Sequence, residues 1–83
     1  MTSSDAVVEA ASTAAADFIF SHYSRTDVED LDISVTFEDE ELLIDIVLDT
    51  GAETEAERRQ ERQIADDATI VAVDAVDQEL GTS

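Results

Sequence analysis

The sequence predicts a two-layer α+β domain of order α-β-β-α, an antiparallel β-hairpin packed against two helices. Three observations predict it: two back-to-back runs of strict apolar alternation over 31–48, and a stretch on either side of them with apolar residues at steps of three and four. At 83 residues the chain reads as a single domain over 1–83. Its size is one at which folding buries only about 60% of the unfolded surface, so a permanent partner would add stability.

The hairpin is the organising element. In its first run Leu31, Ile33, Val35 and Phe37 point one way and Asp32, Ser34, Thr36 and Glu38 the other. In the second, Leu42, Ile44, Ile46 and Leu48 form one face, with Leu43, Asp45, Val47 and Asp49 on the reverse. The acidic connection Asp39-Glu40-Glu41 is short enough for a hairpin. The helices are expected on the Leu31, Ile33, Val35, Phe37, Ile44 and Ile46 face.

Ahead of the hairpin, Thr2, Ser3, Ser4 and Asp5 are N-cap candidates, and Asp5 suits the positive end of a helix dipole. Val8, Ala11, Ala15, Phe18, Ile19 and His22 then share one helical face, flanked by Val7 and Ala14. Phe18, Ile19 and Phe20 are consecutive and cannot all face one core. Phe20, which lines up with Ala16 and Tyr23, is therefore a candidate exposed anchor unless the following segment wraps the helix end. Residues 24–30 lack a sustained apolar period and connect to the first strand, with Val28 expected at the core edge.

After the hairpin, Gly51 marks a turn, and two overlapping capping boxes, Thr50 with Glu53 and Thr54 with Glu57, each signal a helix start. Residues 53–63 are nearly all polar, with Glu55 placed to meet Arg59 and Arg58 to meet Glu61. With so little to bury, this part is expected to project into solvent or fray. Beyond it Ile64, Ala68, Val71, Ala72 and Ala75 make one apolar face and Val73, Val76 and Leu80 a second, before Gly81 ends the helix. The β-branched text from Ala68 to Val73 also fits a third strand. The helical spacing of Asp67, Asp74 and Gln78, and the lack of a turn signal, favour a helix.

Charge sets the solvent. The chain has 22 acidic residues against 4 basic ones, giving −18, yet is 43% hydrophobic. A disordered chain of that charge would be poor in branched aliphatics, which here recur at strand and helix spacing. Adaptation to molar salt explains the combination, because the Debye length falls to roughly 3 Å at 1 M and self-repulsion is screened. Without cysteine there is neither a disulfide nor a thiolate metal site. No apolar run approaches the roughly 20 residues that span a bilayer, and no signal peptide is evident, so a cytoplasmic protein is expected.

Catalytic and metal-binding residues are not indicated. His22 is the sole histidine and reads as a packing or capping residue, and no serine sits in a nucleophile context. The acidic run Glu38 to Glu41 lacks the glycine and ligand spacing of a calcium loop. Nucleic-acid binding is disfavoured, since phosphate contacts need cations. The arginines are Arg25 and the cluster Arg58, Arg59 and Arg62, the latter expected to pair with neighbouring glutamates. No cofactor is expected. What remains is surface for a partner: Leu43 and Val47 on the reverse of the hairpin, with Phe20 and Tyr23 as secondary candidates.

The stretch Asp-Phe-Ile-Phe-Ser-His-Tyr-Ser-Arg-Thr-Asp-Val-Glu-Asp-Leu-Asp-Ile-Ser-Val-Thr over 17–36 resembles a small archaeal family of proteins of unknown function. Its members share an aspartate-aromatic-isoleucine-phenylalanine helix end and a basic-x-Asp/Glu-Val-x-Asp segment. They tend to be encoded beside the prefoldin beta subunit and the small, dimerising, Pcc-type subunit of the KEOPS complex, which makes the threonylcarbamoyl modification of tRNA. The order helix, strand, strand, helix is also similar to that small subunit without its first strand. Where heat-loving members carry a branched aliphatic stretch after the second strand, this chain has Gly51 and then charge. The resemblance implies a non-catalytic interaction subunit, an accessory of KEOPS that forms a homodimer or a heterodimer with the small KEOPS-type subunit. A prefoldin- or translation-associated factor is the alternative, followed by an unrecognised enzyme or metal-binding protein.

Overall fold

The computed structural model describes residues 4–81. Four elements follow in order: α1 over Ser4–His22, β1 over Asp30–Glu38, β2 over Glu41–Asp49 and α2 over Glu55–Glu79. The strands pair antiparallel from Asp30↔Asp49 to Glu38↔Glu41, so the inner row of one strand faces the inner row of the other. Both helices lie on that inner face, α1 over β1 and α2 over β2, and each packs along the other. This is the expected α-β-β-α fold.

The connection between the strands is tighter than the three acidic residues expected. Glu41 already pairs with Glu38, leaving Asp39 and Glu40 as a two-residue turn, with φ of 51° and 65°. Two positive φ values mark the primed turn whose twist matches a hairpin, a conformation that Asp39 suits and that favours glycine over Glu40 at the second position. At the other end of the hairpin Gly51 has φ +68°, and a Cβ there would meet the Glu29 carboxyl at 3.0 Å. Only glycine fits that turn without displacing Glu29.

The helix pair is built on two rows at strict steps of four. Val7, Ala11, Ala15 and Ile19 on α1, and Ile64, Ala68, Ala72 and Val76 on α2, are all buried. Both read branched, alanine, alanine, branched. The short links at the base of the domain make the helices antiparallel, so the alanines of each row can meet and the backbones approach closely. Leu48 joins this core, while Leu31, Ile33, Val35, Phe37, Leu42, Ile44 and Ile46 are half-buried against it. A two-stranded sheet is too narrow to close over its inner residues fully.

Of the α1 N-cap candidates, Thr2 and Ser3 lie outside the described residues. On α1 the inward row is centred on Val7 rather than Val8, which is half-buried with Phe18 and Ala14. The α2 start is decided for Thr54, whose hydroxyl accepts from the Glu57 backbone N–H at 3.1 Å while the Glu57 carboxylate takes the Thr54 backbone N–H at 3.3 Å. Thr50 is used differently. Its backbone N–H and hydroxyl both donate to one Glu61 oxygen, at 2.9 and 2.8 Å. That tie corrects one expectation, since Glu61 is engaged with Thr50 instead of Arg58. The polar first half of α2 does not fray: it is continuous helix and, apart from Glu61, lies exposed to solvent as expected. Ala68 to Val73 is helical. Val76, assigned to a second apolar face, belongs to the buried row.

Candidate functional site

The alternation that builds the core from one face of the hairpin leaves the other face uncovered. Leu43 and Val47 are 58% and 52% exposed and lie two pleats apart on the outer side of β2. Across the ladder they face Thr36 and Asp32, with Ser34 opposite Asp45 between them. Both helices pack on the inner face, so nothing among the described residues shields this patch.

Phe20 and Tyr23 do not join it. Phe20 is half-buried, with the Arg25 guanidinium 5.0 Å from its ring centroid, so the segment after α1 wraps the helix end as the alternative reading allowed. Tyr23 is half-buried against the core at the base of the domain. Burial lifts its phenol above the ordinary 10.0, and the Glu61 and Glu57 carboxylates push it the same way. The ring borders an acidic cleft of about 320 Å³ shared with Asp27, Glu29 and Glu57.

His22 is exposed rather than inward. It is the last residue of α1, beyond the reach of the core, and its ring stacks at a tilt on Phe18 with centroids 4.7 Å apart. Among the described residues the arginine cluster forms one ion pair, Arg59 with Glu55 at 4.0 Å. Both side chains are exposed, so it adds little stability. No group of three or more His, Asp or Glu converges as a metal ion would require, and no helix is long and apolar enough to cross a membrane, among the described residues.

One exposed apolar residue was missed by the sequence reading. Ile70 on α2 is 63% exposed, and Val73, one turn on, is 40% exposed. Projecting the residue numbers at 100° per step would have shown Ile70 opposite the Ile64, Ala68, Ala72, Val76 row.

Fold and surface together define a small two-layer domain with an uncovered sheet face. The chain belongs to the family described as a protein of unknown function, DUF3194, which matches residues 2–79. It is similar to an uncharacterised protein of the halophilic archaeon Natronomonas pharaonis, 36% identical over 74 residues, covering 89% of this chain and 83% of that protein. No solved structure matches the chain. Membership in a family of unknown function with a salt-loving archaeal member agrees with the resemblance seen over 17–36.

Proposed function

We propose that the chain is a non-catalytic interaction subunit that holds a partner protein on the outer face of its hairpin. The observation that carries this reading is the exposure of Leu43 and Val47, 58% and 52%, on a strand face that none of the described residues covers. A partner layer on the outer face would bury the apolar surface that the domain leaves open. The tilted stacking of His22 on Phe18 fits a helix-end packing role.

The partner assigned is the small KEOPS-type subunit, in a cytoplasmic heterodimer that serves assembly of the tRNA-modifying complex without touching RNA. Support comes from the shared order of helix, strand, strand, helix, and from the gene neighbourhood implied by the resemblance over 17–36. Affinity purification of the tagged chain from its own host, in molar salt, tests this assignment. The small KEOPS subunit should be recovered with the wild type and lost when Leu43 and Val47 are both replaced by aspartate. Recovery of prefoldin alone, or of no KEOPS subunit, would remove the assignment.

A further inference from the structure

The outer face of the hairpin carries a charge pattern that selects its occupant. Its side chains form five cross-strand pairs: Asp30 with Asp49, Asp32 with Val47, Ser34 with Asp45, Thr36 with Leu43 and Glu38 with Glu41. Residues 30–49 contain neither arginine, lysine nor histidine, and the chain's four arginines, Arg25, Arg58, Arg59 and Arg62, all lie outside the strands. Like charges stand directly opposite each other at both ends of the ladder, an arrangement that costs stability in an isolated hairpin. Between those ends lies the apolar patch of Leu43, Val47 and the Thr36 methyl.

We infer that this face docks a protein segment bearing apolar residues between arginines or lysines. The inference rests on the interaction-subunit reading above and adds the chemistry of the partner. A second copy of this chain is disfavoured, because it would set six carboxylates against six with no cation on either side, and desolvated charges without a partner are costly. Nucleic acid is disfavoured by the same sign of charge. A cationic protein segment answers both parts of the pattern. Guanidinium forks placed at Asp30/Asp49 and Glu38/Glu41 would relieve each like-charged pair, and apolar side chains between them would cover Leu43 and Val47. In molar salt long-range attraction is screened within about 3 Å, so direct ion contacts and apolar burial must act together.

The test uses the isotope-labelled full chain in about 1 M potassium chloride, where the Debye length is roughly 3 Å, and a short synthetic peptide with leucines at its centre and a pair of arginines at each end. Amide shifts should concentrate on Ser34, Thr36, Leu43, Asp45 and Val47. Replacing Leu43 and Val47 together by serine should weaken the peptide about tenfold or more, as should replacing its leucines by arginine. Shifts spread equally over Asp66, Asp74 and Asp77 of α2, or equal affinity for the all-arginine peptide, would overturn the inference. So would a wild type that sediments as a dimer dissociated by the Leu43 and Val47 substitutions. Recovery of the host partner on this face without peptide binding overturns only the cationic chemistry. Peptide binding with no partner in the host overturns only the KEOPS assignment.

Discussion

The two faces of the hairpin are made from the same pair of nine-residue strands and have opposite fates. Leu48 on the inner face is buried at 7% exposure, and its inner neighbours are at least half-buried under the helices. Leu43, in the same strand on the other face, is 58% exposed. Composition separates them further, since every inward residue of both strands is apolar while six of the outward ones are acidic. The difference teaches that period-two patterning assigns one face to folding and leaves the other open to solvent. A slip of one residue in register would exchange the two roles.

The largest effect expected is on the inner face. Leu48→Ala should cost about 2–5 kcal/mol, a large share of the roughly 5–15 kcal/mol typical of a whole domain. A denaturant titration in molar salt should show the midpoint fall steeply or the native baseline vanish. A smaller effect is expected at the tip, which sets the register. Glu40→Gly relieves a positive φ of 65° and removes one charge from the run Glu38 to Glu41. It should stabilise by about 0.5–1 kcal/mol, raising the melting midpoint by a few degrees. An unchanged or lowered midpoint would mean that the turn is not strained by its side chains.

Much of this arrangement was legible from residue spacing. Alternation from Leu31 to Leu48 reports directly on the pleat, whereas the spacing offered two capping boxes, and the engagement of Thr50 with Glu61 left the cap to Thr54 and Glu57. The β-branched run Ala68 to Val73 was ambiguous because strand preference and helical spacing disagree there. Packing decided it, through the four-step row that meets α1. What was not legible depended on contacts distant in sequence or on the ends of elements. Glu61 reaches back to Thr50 across eleven positions, which local pairing rules would have assigned to Arg58. Phe20 is covered by Arg25 from the following loop, and His22 falls past the core because α1 ends there. For the surface, the exposure of Leu43 and Val47 follows from alternation alone, and that of Ile70 follows from helical projection once Ala68 to Val73 is read as helix.

The smallest effect expected per substitution bears most directly on the central claim that the outer face serves association and not folding. Leu43→Ser and Val47→Ser, made together in the isolated chain, should each change stability by no more than about 0.5 kcal/mol. A thermal melt followed by circular dichroism in molar salt should therefore place the midpoint within roughly 4–8 °C of the wild type, with the same helicity. A fall matching that of Leu48→Ala would contradict the account, because Leu43 and Val47 would then belong to the folding core of the domain.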